Sequence, residues 1–231
     1  MSQITTATFF RVEGVANKWW AFKQMQIGIK SVEGTPGLTF FKILGSGGKN
    51  GFSIVPNFGV YVLLCVWDSE ACARSFMSTN EFFETYSERS LERFTIFAHA
   101  AQFHGYWDGK QPFLSTVQLK SDKPVLVLTR ARIYLKKLWS FWRRVRNVSK
   151  SLDDYNGVAL SIGIGEWPLI QQATISIWKT QAEMMDYAYK NETHKRVVVQ
   201  SKQLKWYKEE MFARFVPYKY EGTWLGEGVK I

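Results

Sequence analysis

The stretches RVEGVANKWWAF (Arg11–Phe22) and RARIYLKKLWSF (Arg130–Phe141) decide the fold of this chain, because a shift of 119 residues puts Arg11 on Arg130, Trp20 on Trp139 and Phe22 on Phe141. The match continues outward in order. A shift of 118 sets Gly45 and Gly47 on Gly163 and Gly165; one of 111 sets Trp67, Asn80 and Glu81 on Trp178, Asn191 and Glu192; one of 117 sets Gly105, Trp107 and Gly109 on Gly222, Trp224 and Gly226. Identities that keep their order over the whole length mark an internal repeat.

Each half reads with the same elements. An extended run (Thr6–Val12; Val125–Ile133) leads into a stretch with apolar residues at helical spacing (Lys18–Ile29; Leu135–Val148). Two strands follow, Leu38–Leu44 with Val60–Trp67 and Val158–Ile164 with Ala173–Trp178. A helical region (Glu70–Arg89; Gln181–Gln203) and a last strand (Arg93–Phe103; Glu210–Tyr218) complete the set. The fold expected is α+β: two tandem ferredoxin-like β-α-β-β-α-β repeats, residues 1–113 and 124–231, joined near Pro112 and Pro124. Helices cover one face of each sheet, and packing of the antiparallel sheets, within the chain or in a homodimer, covers the other. The halves differ in two places: the first has a longer loop, GGKNGFSIVPN, and the second has extra residues between Glu192 and Gly222.

Composition agrees with a folded domain of this kind. Apolar residues are 46% and aromatics 16% of 231 residues, too hydrophobic for disorder. Two cysteines, Cys65 and Cys72, exclude a disulfide scaffold and a four-cysteine zinc site, and the chain reads as cytoplasmic. The longest apolar run, Val60–Trp67, falls far short of the ~20 residues that span a bilayer, and the first residues lack the pattern of a signal peptide. A net charge of +10 favours anionic partners. Nucleic acid is not expected among them, since no RNP-type or helix-turn-helix pattern accompanies the charge.

The segment from Arg130 to Lys150 has eight basic residues and no acidic one. Leu135, Leu138, Trp139, Trp142 and Val145 share a helical face, which fits packing on a sheet or peripheral contact with a membrane surface, the inner face of the membrane being expected. The glycine loop Gly45–Gly51 lacks the Gly-Lys-Ser/Thr ending of a P-loop. Cys65 sits in an apolar strand and reads as a small buried hydrophobe.

Of three histidines, His99 and His104 lie five apart in or beside one strand, which strict alternation turns to opposite faces. His194 stands where the first half has Phe83, so an imidazole replaces a packing residue in the second half alone. No metal-cage spacing accompanies it, and a single-histidine iron site then requires a macrocycle such as haem.

The segments WAFKQM (Trp20–Met25), KILGSG running on to GFSIVPNFGVY (Lys42–Tyr61), LTRARI (Leu128–Ile133), IGIGEWPLIQQATISIW (Ile162–Trp178), KEEMFARF (Lys208–Phe215) and GTWLG (Gly222–Gly226) resemble the spheroidene monooxygenase family of carotenoid ketolases nearly end to end. The resemblance implies a haem-dependent oxygenase that inserts a keto group into an acyclic carotenoid with dioxygen and an electron donor such as ferredoxin. It also implies kinship with dimeric α+β barrel haem proteins, and haem b as the cofactor. His194 matches the family histidine and is the expected iron ligand, followed by Trp206, Tyr207, Glu209 and Glu210. The loop Gly48-Lys49-Asn50-Gly51-Phe52 departs from the family form and bears on substrate identity. Arg130 and Ser176 are expected as catalytic polar groups, and Arg214 and Trp206 as haem contacts, all in the second half. The alternative is a haem enzyme of this fold with another reaction, peroxidative or dehydrating, on another apolar substrate.

Overall fold

A computed structural model describes residues 2–48, 55–143, 155–167, 169–190, 199–201 and 203–226. Eight strands run in chain order as β1 (Ile4–Val12), β2 (Leu38–Gly47), β3 (Pro56–Trp67), β4 (Ser90–Gly105), β5 (Val125–Ile133), β6 (Val158–Trp167), β7 (Gln171–Trp178) and β8 (Tyr207–Gly222). They close into one antiparallel barrel in the order β1-β3-β2-β6-β7-β5-β8-β4. The two halves therefore form the α+β architecture that the repeat announces. Their sheets pack by joining edge to edge, through β2 with β6 and β4 with β8, and no second copy is needed to close the barrel.

Alternation explains the long apolar strands. In β3, Val60, Val62, Leu64 and Val66 point inward, whereas Tyr61, Leu63, Cys65 and Trp67 point outward. From Val60 onward both faces are buried, so that stretch is apolar throughout. The interior is one cluster shared by both halves, including Phe9, Leu44, Ile96, Leu128, Ile175 and Phe215.

Helices lie outside. Helices α1 (Val15–Ile27), α2 (Ile29–Val32), α3 (Glu70–Thr79) and α4 (Glu81–Glu88) cover the first half, burying Ala21, Val32, Phe76, Phe83 and Tyr86 against it. The expected single helix Glu70–Arg89 is two, because Asn80 has an extended ψ of 118° and its Oδ1 accepts from the Phe83 N–H at 3.3 Å, an N-cap in mid-run. In the second half the helix Gln181–Lys190 buries Met184 and Tyr187, and a 3-10 turn Leu135–Lys137 leads into helical residues 138–143. Among the described residues, no helix is long and apolar enough to cross a membrane.

The repeat is visible at atomic detail. Gly105 and Gly222 both have positive φ, 86° and 89°, and a Cβ there would meet the Glu210 carbonyl oxygen at 2.1 Å and the Arg93 carbonyl oxygen at 1.9 Å. Each glycine starts a Gly-x-Trp-x-Gly turn whose indole, Trp107 or Trp224, enters the interior. The turns are held crosswise. Glu209 accepts the N–H groups of Asp108 (2.9 Å) and Gly109 (2.8 Å), and Glu92 accepts those of Leu225 (3.0 Å) and Gly226 (2.5 Å).

The ladders also correct the alignment. Arg11 pairs with Glu92 and Arg132 with Glu209, so Arg132, two residues beyond Arg130, holds the rung of Arg11. Likewise Gly45 stands opposite Tyr61 as Gly165 stands opposite Gln172, so Gly165 rather than Gly163 holds the rung of Gly45. A slip of two residues preserves which face each side chain takes, which is why identity counting alone missed it.

Candidate functional site

The outer walls of the two halves can be compared rung by rung, starting from Trp67 and Trp178. In the first half the next two rungs read Phe41, Cys65, Thr6, Phe97 and Ile43, Leu63, Thr8, Thr95. In the second half they read Ser161, Ser176, Val127, Arg214 and Gly163, Thr174, Thr129, Phe212. They continue onto β4 as Gln102 and His104. The first wall is filled by large side chains under α1, α3 and α4. The second carries short or polar ones apart from Val127 and Phe212, with Thr129 exposed and Gly163 buried.

Two polar atoms on this wall have no hydrogen-bond partner among the described residues although they are shielded from solvent: Ser161 Oγ and Arg214 Nε. Arg214 is otherwise engaged by Nη1 donating to Gln102 Oε1 at 3.3 Å, and its guanidinium lies 5.2 Å from the Phe212 ring centre. These side chains, with Phe103 and His104, line a depression of ≈ 210 Å³. Ser176 is buried, and its Oγ accepts the Trp178 indole N–H at 3.0 Å, which leaves its own proton to donate. Trp67 makes the matching bond to Thr6 Oγ1 at 2.9 Å.

The expected site residues do not share one face. Arg130 points into the barrel beside Met211 and Ala173, whereas Ser176 and Arg214 point outward. Residues on neighbouring strands share a face only in the right register, and the expectation of one shared site fails on that parity. Trp206 is fully buried with Ile133, Phe141 and Trp142, and its indole N–H donates to Ser140 Oγ at 3.2 Å, so it is engaged in packing. His194 lies outside the described residues, as do Glu192, Lys195, Val145, Val148 and the loop positions Lys49, Asn50 and Phe52.

His99 and His104 are corrected as well. Ala100 pairs with Phe215 and Gln102 with Arg214, which leaves Ala101 in a bulge. The bulge restores parity, so both histidines face outward, His99 stacked on Tyr218 and His104 on Phe212. Cys65 is buried as expected, and burial pushes its thiol well above the usual range, away from thiolate.

Inside the barrel, one mouth holds a charge cluster that sequence reading missed. Arg130, 1% exposed, bonds to Glu209 and lies 3.3 Å from Asp108 and 3.6 Å from Glu166. Lys42 bonds to Asp108 at 2.5 Å and Glu166 at 2.6 Å. Both cations flank the Trp107 ring, whose N–H donates to Glu166 at 3.0 Å. Burial alone would raise the Asp108 carboxyl, but Lys42, with Arg130 and Arg132, outweighs it and holds the group below the usual range. Glu209 is likewise held low against its burial by the Gly109 and Asp108 N–H groups and Arg130. Lys42 loses by burial, yet its bonds to Asp108 and Glu166 leave it raised. The signal available in sequence was Asp108, which stands where the repeated turn has Leu225.

No protein-family profile matches the chain. Among solved structures, an aldoxime dehydratase superposes with TM-score 0.61 at 12% identity, over 94% of this chain and 82% of that one. An aldoxime dehydratase in complex with butyraldoxime gives 0.63 at 10%, over 95% and 82%. These likenesses concern the fold. Sequence relatives are nearer: spheroidene monooxygenase of Rhodobacter capsulatus is 30% identical over 226 residues, 97% of this chain and 94% of that protein. The Cereibacter sphaeroides protein of the same name is 30% identical over 97% of this chain and 70% of its own length, and that of Rubrivivax gelatinosus 33% over 91% and 81%. With identity at this level sustained across both repeats, the chain belongs to the spheroidene monooxygenase family.

Proposed function

We propose that the protein is a haem-dependent monooxygenase that introduces a keto group into an acyclic carotenoid, with haem b against the outer wall of the second half and His194 as the iron ligand. The observation that carries this reading is the wall itself. Where the first half has Phe41, Cys65 and Phe97, the second has Ser161, Ser176 and Arg214, with two shielded polar atoms in want of partners. Short side chains leave room for a flat macrocycle, and an unpartnered guanidinium nitrogen suits a propionate, so the residues present fit the group. The name shared by the sequence relatives supports the carotenoid class.

Haem, when bound, supplies the activation of dioxygen with electrons from an external donor such as ferredoxin. The chain's own residues then bind and orient. Arg214 holds a carboxylate by charge, steadied by Gln102. Ser176, fixed by the Trp178 indole, presents a hydroxyl proton at a constant position. Phe212, half-buried, offers apolar surface suited to a polyene, over the buried Val127. Arg130 acts at a distance, by holding the barrel mouth.

An absorption spectrum of the purified protein and of His194→Ala tests the reading. The expected result is a haem band in the parent that is lost or shifted in the variant, with ketolated product made in carotenoid-producing cells by the parent alone. A parent that takes up no haem, or a variant with an unchanged spectrum, would overturn it.

A further inference from the structure

Helix α1 (Val15–Ile27) is apolar on two sides. Its inner side is explained, since Ala21 and Gln24 are buried and Trp20 and Met25 pack on the first-half wall. Its outer side is not. Val15, Trp19 and Phe22 follow one another at helical spacing on the exposed face, Trp19 being 61% exposed, and Ile27, 59% exposed, lies to one side of them near the helix end. The patch extends to a second element: Trp19 stacks on Phe22 at 5.8 Å, and Phe22 meets the ring of Phe58, at the start of β3, at 5.5 Å.

The charges carried by α1 and α2 are of one sign, with Glu13 and Glu33 flanking the pair. Lys18, Lys23 and Lys30 lie on α1 and α2, and no acidic residue occurs from Gly14 to Val32. Lys23 and Lys30 are exposed. Glu13, just before the helix, is occupied by Arg11 at 3.7 Å. An apolar stripe carrying tryptophan and bordered by lysines suits the headgroup layer of an anionic bilayer, where rings sit at the acyl boundary and ammonium groups meet phosphate. A second copy of the chain fits less well, because a self-complementary contact would set these lysines against their own equivalents without a carboxylate between them.

We propose that α1, with Phe58, docks the protein on anionic lipid through the first half. The wall that docks is thus the opposite of the one assigned to haem. The segment beginning at Leu135 also exposes Leu135 and Trp139, but Phe141 and Trp142 anchor it to the second half, so it is a separate patch from that on α1. The inference stands apart from the haem reading, since vesicle binding is measured without cofactor or turnover.

The test is co-sedimentation of the intact protein with sucrose-loaded vesicles of phosphatidylcholine with a quarter phosphatidylglycerol, and with phosphatidylcholine alone. The parent is expected to bind the anionic vesicles, more weakly as salt rises. Trp19→Ala with Phe22→Ala should lose about tenfold or more in affinity, by removal of interfacial rings. Lys23→Gln with Lys30→Gln should lose roughly twenty-five-fold, about fivefold for each charge. Leu135→Ala with Trp139→Ala should bind like the parent. Circular dichroism and melting confirm that each variant is folded. A parent that remains in the supernatant overturns the proposal, as does a Trp19/Phe22 variant that binds like the parent. So does loss of binding through Leu135 and Trp139 instead. A parent dimer that the Trp19/Phe22 variant converts to monomer, with no vesicle binding by either, assigns the patch to a second copy and overturns it too.

Discussion

The first half fills the middle rungs of its outer wall with large apolar side chains, and at the matching positions the second half carries short or polar ones. Phe41, Ile43, Leu63 and Phe97 lie under helices in one, while the rungs that match them carry Ser161, Gly163, Thr174 and Arg214 in the other. The mouths of the barrel differ in the reverse sense. Phe9 packs on Trp224 at 5.7 Å in the mouth held by Glu92, and at the equivalent mouth Arg130 lies 5.4 Å from Trp107. A duplicated fold can therefore keep one outer wall apolar and let the other turn polar, because the shared interior leaves each outer wall independent of the other.

The strongest way to break the comparison is to make the second wall resemble the first. Ser161→Phe with Arg214→Phe should abolish haem uptake, read as loss of the haem absorption band, while the protein stays folded by circular dichroism. Retained haem would show that the wall's composition is not what admits it.

The mouths offer the next largest effect. Arg130→Leu leaves Asp108, Glu166 and Glu209 around Lys42 alone and should cost about 3 kcal/mol in urea unfolding, at the low end for a broken buried pair because the carboxylates keep some solvent. Replacing the cluster together, as Lys42→Ile, Asp108→Leu, Arg130→Phe and Glu166→Ser, should recover most of that loss by copying the apolar mouth. A quadruple variant no more stable than the single one would refute the equivalence of the mouths.

The paired indoles give a smaller and symmetrical effect. Thr6→Val and Ser176→Ala each strand a buried tryptophan N–H and should each cost about 1 to 2 kcal/mol. A marked inequality in the apoprotein would mean that the walls differ in packing as well as in composition.

Acid gives the mildest contrast. Asp108 and Glu209 are both held below their ordinary values in the folded state, so they stabilise it above about pH 4 and that contribution fades as pH falls through their folded-state values. Glu92 acts the same way at the other mouth. The quadruple variant, lacking Asp108 and its partners, should show a shallower fall in stability between about pH 5 and pH 3 than the parent. Parallel curves would exclude a charge-cluster origin.

Much of this was legible in the residues. The Gly-x-Trp-x-Gly turns, the apolar run Val60–Trp67 and the repeated strand order lead to the barrel, since each reports a backbone demand or a two-sided burial. The bulge at Ala101 was not legible, because alanine carries no sign of it, and it turned His104 to the face of His99. Neither was the two-residue slip that sets Arg132 opposite Glu209. For the site, Arg214 and Ser176 could be chosen from their strands, but which face each takes depends on register between strands distant in sequence. Arg130 went inward for that reason.

The crossed bonds of Glu92 and Glu209 bear on how the chain reaches its final state. The turn that stops the first mouth, Leu225 and Gly226, lies more than a hundred residues after the glutamate that holds it. A ribosome that has released only the first repeat has thus made a curved sheet with Glu92 still waiting for its donors. Closure must await the last segment, which makes barrel formation a late, long-range step with a large loop to close. Unfolding should in turn be a single cooperative event rather than two, with the repeats melting together although each has the element order of an independent module.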